Sequence, residues 1–340
     1  MKIAIHHEKV GFSSQWIEYC KANNIPYKLV NCYKSDIIQQ MDDCDGLMWH
    51  YNQNEYKGFL CARQITNSLE LSGKKVFPDS KTSWHFDDKV GQKYLLEAIK
   101  APLVPSYTFY DKKEALKWCN TTTFPKVFKL RGGASSENVK LARTKSAGKK
   151  LVNRAFGRGF DLLDRYSLLK DSFWRIKRDR NFPAVIGLIK SIGRIFVPTE
   201  LEYFLGKDKG YVYFQDFIPQ NTYDIRIITI GDRAFGIKRM VRKDDFRASG
   251  SGLNIYDASQ VDLNCVSIAF ETSAKLKVQN MAYDFIYQNG EPLMVEISYA
   301  YCHIYRNCPG YWDREMNWHE GKFFPEDFII ENFLNTLSGK

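Results

Sequence analysis

The sequence predicts an α/β chain with α+β character: a Rossmann-like βα domain at the N-terminus, then a larger two-lobed module. Two observations carry this. The first eighty residues alternate strand and helix signals, and from Tyr211 onward the chain returns to long strands with few helices. Lys2–His7 reads as a strand, Ser13–Asn24 as a helix opened by a capping serine, Tyr27–Asn31 as a strand, Ser35–Met41 as a short helix and Gly46–Tyr51 as a buried strand. With a helix over Lys57–Leu71 and a strand over Lys75–Pro78, the order is βαβαβαβ, which implies a small parallel sheet covered on both faces. Ligands of such sheets sit beyond the carboxyl ends of the strands. That nominates His6, His7, Trp49, His50 and Tyr51 as cleft residues, although each reads more readily as a strand-end core residue.

Asp79 to Lys100 reads as one charged helix, and Ala101-Pro-Leu-Val-Pro105 as an extended link. Phe124–Leu130 is a strand that runs into Arg131-Gly-Gly-Ala-Ser-Ser-Glu-Asn-Val139. Strands follow at Tyr211–Phe217, Asp224–Ile230 and Arg233–Arg242, then an apolar hairpin, and Glu326–Leu337 is a closing helix. The expected division is 1–80, a linking region 81–125, a lobe 126–220 that contains a basic insert at about 145–208, and a lobe 221–340.

With 340 residues the chain can build a large core without a disulfide or a metal staple. No apolar run approaches the roughly 20 residues of a membrane span, and the first residues read as a strand, so a cytoplasmic location is expected. The eight cysteines are scattered through apolar segments with no C-x-x-C pair and read as reduced core residues. Cys302, His303, Cys308 and His319 lie close in sequence, but their spacing matches no zinc pattern. The net charge of +10 is concentrated: between Lys140 and Gly210 seventeen Lys or Arg face seven Asp or Glu. One basic segment suggests a local anionic partner rather than nucleic acid, for which aromatic interleaving is missing.

The hairpin strands Met281–Tyr287 and Pro292–Ser298 each carry one acid, Asp284 and Glu296. A carboxylate in an apolar strand is costly unless paired or bound to metal. A strict two-residue Asn-Gly turn puts the two on opposite faces; a three-residue loop with Gly290 left-handed puts them on one face, where they can share Mg²⁺. One solvent-exposed and one salt-bridged acid is the equally weighted ordinary reading. Strand, Lys129, then Gly132, Gly133, Ser135 and Ser136 suits phosphate, since small residues let backbone N–H groups approach the oxygens. It is not a Walker loop, and alone it reads as an ordinary turn. Downstream, Gln215-Asp216-Phe217-Ile218 can offer backbone groups to an adenine edge, Asp224, Arg226 and Arg239 add an acid and two arginines on neighbouring strands, and Arg247 adds a third at a flexible glycine-serine loop.

In this order the residues from about Phe77 to Leu337 resemble the ATP-grasp ligases, nearest the branch of ribosomal-protein glutamate ligases and glutathione synthetases. The resemblance puts the family's two lysines at Lys89 and Lys129, its mobile glycine-rich loop at Gly132–Ser136 and its adenine hinge at Gln215–Ile218. Its D-I-R motif falls at Asp224–Arg226, its acceptor-loop F-R at Phe246-Arg247 and its metal acids at Asp284 and Glu296. It implies ATP and Mg²⁺ as cofactors, with Ser298 as a third metal ligand. It implies Arg226, Arg239 and Arg247 as catalytic residues, Arg239 and Arg247 stabilising an acyl phosphate. The partners would be a carboxylate, nucleotide- or lipid-linked in the case of a sugar, and an amine; a homo-oligomer is left open.

Two departures bear on activity. The family's E-x-N triplet is Glu296-Ile297-Ser298, a hydroxyl replacing an amide, and the loop ends in Glu137-Asn138 where relatives often have glycine. The alternative to a ligase is therefore an inactive ATP-binding regulatory or membrane-associated protein. Within the insert, Phe182–Val197 can lie on a membrane surface with Lys190 and Arg194 snorkelling, but a buried helix or a partner interface is the preferred reading. The aromatic segment Tyr299–Trp318 suits sugar rings or an aromatic core. It also resembles, more loosely, the tails of bacterial surface-polysaccharide ATP-grasp proteins.

Overall fold

The computed structural model describes residues 1–8, 11–52, 56–132, 138–197, 200–242, 246–248 and 250–339. The chain divides into two units, one made of 1–86, 95–102 and 220–340, the other of 87–94 and 103–219.

The first unit opens with β1 (Ile3–His6), α1 (Ser13–Ala22), β2 (Tyr27–Val30), α2 (Ile37–Gln40), β3 (Gly46–Met48), α3 (Tyr56–Leu71) and β4 (Lys75–Phe77). The strands form a parallel sheet in the order β2-β1-β3-β4. The chain winds one way from β1 to β2 and the other way from β1 to β3, so the crevice beyond His6 and Met48 is the point where the winding reverses. Two expectations need correction. The capping role of Ser13 does not occur: Phe12 stands at the helix N-terminus, and the Ser13 hydroxyl instead accepts from the Glu8 N–H at 3.1 Å and donates to the Glu8 carbonyl at 3.2 Å. β3 stops at Met48; the Trp49 N–H still donates to the Phe77 carbonyl at 2.8 Å, and His50 and Tyr51 lie beyond it.

Asp79 to Lys100 is not one helix. α4 (Ser80–Ser83), capped by the Asp79 carboxylate on the Thr82 N–H, ends before α5 (Lys89–Ala98), and the left-handed Asp87 (φ 52°) lies between them. The break puts Lys89 at the start of α5, its N–H bonded to the Arg131 carbonyl at 2.9 Å.

The second unit contains β5 (Ser106–Phe109), α6 (Lys112–Thr121), β6 (Lys126–Lys129), β7 (Lys140–Ala142) and α7 (Lys145–Ala155). After these come β8 (Phe160–Asp161), α8 (Arg165–Asp179), α9 (Phe182–Phe196), α10 (Glu200–Leu205), β9 (Lys207–Asp208) and β10 (Val212–Asp216). Its main sheet has the order β5-β10-β6-β7, antiparallel at β5-β10-β6 and β6-β7. One face packs Phe128, Phe214 and Val212 against Ala115, Cys119, Val152 and Ala155 of α6 and α7. Of the two preferred readings of Phe182–Val197, a buried helix or a partner interface, the buried helix is overturned. α9 lays Ser191 against α8, Oγ to Ser172 Oγ at 2.6 Å, and leaves Phe182, Val185, Ile186, Ile189 and Ile192 exposed.

The first unit resumes with β11 (Tyr223–Ile230), β12 (Arg233–Met240), β13 (Asn254–Ile255), α11 (Leu263–Leu276), β14 (Asn280–Gln288), β15 (Glu291–Ser298), β16 (Gly310–Asp313), β17 (Trp318–Glu320) and α12 (Pro325–Leu337). Its sheet runs β15-β14-β11-β12-β16-β17, with β13 beside β12. One face meets α11, where Thr229 Oγ1 and Ser273 Oγ lie 2.6 Å apart. Ile228, Ile230, Phe235 and Ile237 on the other face share one core with Ile3, Ile5, Trp16 and Phe77 of the N-terminal βα layer and Ile329, Ile330 and Phe333 of α12. Tyr301, Tyr305 and Cys308 also belong to this core, and Tyr299 is fully buried, so most rings of the predicted sugar-facing tail are structural.

Candidate active site

The hairpin answers the question its acids pose, by a route the sequence does not reveal. Gln288 pairs with Glu291, so the turn is the two residues Asn289 and Gly290, both with positive φ (55° and 86°), the mirror-image geometry that matches strand twist. An uninterrupted register would then put the acids on opposite faces. A bulge intervenes: Phe285 pairs with Met294 but Asp284 with Glu296, so Val295 is the extra residue of the bulge. Asp284 and Glu296 are thereby directly opposite and share a face, and Ser298, opposite Ala282, lies on it too.

The neighbouring strands extend that face. Arg226 pairs with Asp284 across β11 and β14, and Asp224 pairs with Arg239 across β11 and β12. The Arg226 Nε and Nη2 groups donate to the two oxygens of Asp284, the latter at 2.5 Å, and Nη1 reaches the Tyr305 hydroxyl at 3.3 Å. Arg239 grips Asp224 through Nε and Nη2, both at 2.6 Å, and its Nη2 also lies 3.0 Å from Asp284 Oδ2. Burial opposes charge on Asp284, but the Arg226 and Arg239 guanidiniums override it and hold the carboxyl well below the usual carboxylate range. For Asp224 burial wins over the pull of Arg239, and its pKa is raised.

Glu296 and Ser298 are half buried, and the Ser298 hydroxyl donates to the Ala300 carbonyl at 2.9 Å, so towards any further group its oxygen can act only as an acceptor. Arg247 lies in the loop after β12, half buried. Two opposed carboxylates and a hydroxyl on one face fit Mg²⁺, which takes one or two carboxylates and completes its shell with phosphate oxygens and water. Among the described residues no three carboxylate, imidazole or thiolate groups gather into a protein-only metal cage. Cys302, His303, Cys308 and His319 do not converge either; His303 pairs with Glu326 and His319 with Asp313.

In the second unit, Tyr213 stands opposite Lys129, so the side chains of Lys129, Tyr213 and Gln215 share a face of the sheet. The buried Lys129 ammonium donates to Gln215 Oε1 at 2.7 Å, and the Gln215 amide is held by Ser106 Oγ at 3.1 Å, itself bonded to the Tyr213 hydroxyl at 2.9 Å. Asp216 is on the opposite face, paired with Lys126, so it contributes to the Lys129 side only through its backbone. Phe217 is half buried and Ile218 buried just beyond the strand. Lys89 is buried at the start of α5. Gly132 sits against Asp87, where an added Cβ would come within 3.0 Å of the carboxylate. Gly133, Ser135 and Ser136 lie outside the described residues.

Sequence reasoning passed over Glu8 and Ser106, and it read Tyr305 only as part of the aromatic tail. Glu8 lies in the crevice beyond β1 and β3, its carboxylate receiving Tyr33 OH at 2.8 Å, Trp49 Nε1 at 3.3 Å and Asn52 Nδ2 at 3.5 Å. The Cys32 N–H donates to His6 Nδ1 at 3.0 Å, which leaves the proton on Nε2, 3.4 Å from Glu8. Burial works against the charge, but these donors outweigh it and lower the Glu8 pKa. Of the nominated cleft residues, His6 and Trp49 therefore serve this carboxylate, while His7 bonds Ser13. His50 is buried against Phe12, ring centroids 3.7 Å apart. The signal available was the acid itself, directly after a strand that ends in His-His.

No family model matches the chain, and no curated protein matches it by sequence. Its structure is similar to the D-alanine–D-alanine ligase of Bacillus anthracis, with a TM-score of 0.55 and 13% identity over 100% of this chain and 99% of that one. It is also similar to a RimK-domain ATP-grasp protein of Sphaerobacter thermophilus, with a TM-score of 0.52 and 14% identity over 87% of this chain and 90% of that one. The chain has the ATP-grasp fold. D-cycloserine synthetase DcsG is a third similar structure, with a TM-score of 0.57 and 11% identity over 99% and 100% of the two chains. ATP-grasp structures of this kind include complexes with ATP and with ADP.

Proposed function

We propose that the chain is an ATP-dependent carboxylate–amine ligase that works through an acyl phosphate. The observation that carries this reading is the shared face of Asp224, Arg226, Arg239, Asp284, Glu296 and Ser298. In the first step a substrate carboxylate oxygen attacks the γ-phosphorus of ATP, and the bond to the bridging oxygen breaks as ADP leaves. An amine nitrogen then attacks the acyl carbon, the bond to the phosphate oxygen breaks, and the nitrogen loses a proton to give an amide. Phosphoryl transfer asks for positioned charge rather than a side-chain nucleophile. Arg239, with Arg247, stabilises the acyl phosphate; Arg226 holds Asp284 in place; Lys89 and Lys129 take nucleotide phosphates; backbone groups of Gln215–Ile218 take the adenine edge. Asp284, Glu296 and Ser298 hold Mg²⁺, which supplies charge neutralisation on the transferred phosphate. The reaction draws on cytoplasmic ATP.

The proposed acceptor is a sugar carboxylate of a surface-polysaccharide precursor, nucleotide- or lipid-linked. Support comes from the sequence resemblance of the tail. Incubation with ATP, Mg²⁺ and pooled carboxylates and amines tests the reading, sugar acids in one pool and amino acids in another. Substrate-dependent ADP release establishes a ligase, and the responding pool decides the acceptor class. Ser298 favours a second reading, an ATP-binding protein without turnover, because its hydroxyl is bonded within its own loop. Tight ATP binding with no ADP release from any pool would select it.

A further inference from the structure

We propose that the outward face of α9 is an interfacial helix that seats this protein on an anionic phospholipid surface. Ordinary surface helices turn their apolar stripe inward. α9 instead leaves much of its apolar surface turned outward. Its polar Ser191 is turned to α8, where its bond to Ser172 sets the rotation of the helix about its axis. Phe182, Val185, Ile186, Ile189 and Ile192 then recur at three- and four-residue spacing on the solvent side, with Phe182 75% and Ile189 63% exposed. Lys190, also exposed, borders this stripe, and α9 contains no acid.

The charge of the surroundings selects the occupant. Residues 165–197 hold eight Lys or Arg and two Asp. A net positive segment that carries an apolar stripe, with Lys190 beside it, matches a bilayer, whose acyl boundary receives the isoleucines while its anionic headgroups attract the positive charge. A second copy of this chain brings the same excess of cations and is repelled. Tyr203 and Phe204 on α10, ring centroids 5.2 Å apart and both exposed, add rings of the type that settle at headgroup depth. At 15 residues α9 is about 22 Å long, too short to cross a hydrocarbon core of about 30 Å, so it would lie in the plane of the interface.

The test is vesicle co-sedimentation of the full chain, with phosphatidylcholine alone and with phosphatidylcholine mixed with phosphatidylglycerol, at physiological and at raised salt. The expected result is binding to the mixed vesicles that weakens with salt. Ile186→Asp combined with Ile189→Asp should weaken it about tenfold or more, and Lys190→Glu about fivefold. Both side chains of the double variant are exposed, so unchanged melting checks that the fold is kept. Failure of the folded wild type to bind mixed vesicles overturns the proposal, as does undiminished binding by the double variant. Dimerisation abolished by the same substitutions, without vesicle binding, would assign the face to a second copy and equally overturn it.

Discussion

Asp284 holds two buried guanidiniums in register, and Glu296 opposite it is half buried at the edge of the same face. Their substitutions should therefore fail in different ways. Asp284→Asn removes the counter-charge of Arg226 and part of that of Arg239, at a cost of about 3–5 kcal/mol, measured by denaturant unfolding. Glu296→Ala should keep nearly all stability and abolish ADP formation; turnover retained in that variant would sink the assignment of the acids. The lowered pKa of Asp284 also fixes the sign of its acid response. Its contribution to stability is complete above the ordinary carboxylate range and is lost as pH falls through that range toward the lower folded value. His50 behaves similarly for the opposite reason. Burial, reinforced by His303 and resisted by Glu8, depresses it to about 3, so the unfolded chain takes up its proton first. Stability should decline as pH drops from about 6.5 toward 3, and His50→Phe, which keeps a ring against Phe12, should flatten that decline in melts between those limits. A variant with the wild-type slope would show that other groups dominate.

The hairpin β14–β15 rests on its turn. Gly290 has φ 86° with nothing near a built Cβ, so Gly290→Ala meets only backbone strain, about 1 kcal/mol or more in unfolding experiments, with ADP formation per folded molecule unchanged. The same element shows what a sequence can and cannot disclose. The apolar runs and the Asn-Gly dipeptide identify two strands and their turn, since those are local signals. The shared face of Asp284 and Glu296 depends on the bulge at Val295, and no residue there marks it. Met294 and Ile297, three apart, both point into the core, a spacing that breaks strict alternation. For α9 the periodicity was legible but its direction was not, because a stripe's spacing does not say which side faces a neighbour. The Ser13 reading failed for a related reason: a helix-start serine has competing acceptors, and the loop at Glu8 won.

At the scale of the molecule, strand and helix alternation revealed the N-terminal βα layer, and the order of lysines, arginines and acids revealed the ATP-grasp fold. What remained hidden was that residues 1–86 and 220–340 build one core, since contacts across more than a hundred residues leave no local trace. ATP binding makes a prediction here. Nucleotide with Mg²⁺ at about a hundredfold excess over Kd should add about 2.7 kcal/mol and raise the melting temperature by several degrees. A melt indifferent to ATP would remove the nucleotide from the proposed function. The extra residue of the bulge, Val295, has one more consequence. It is slack held in the strand: losing Val295 itself flattens the bulge and keeps every other pair of the hairpin, with Asp284 still facing Glu296. An added residue finds no such reserve, so across descendants of this chain the hairpin is free to shorten by one but not to lengthen.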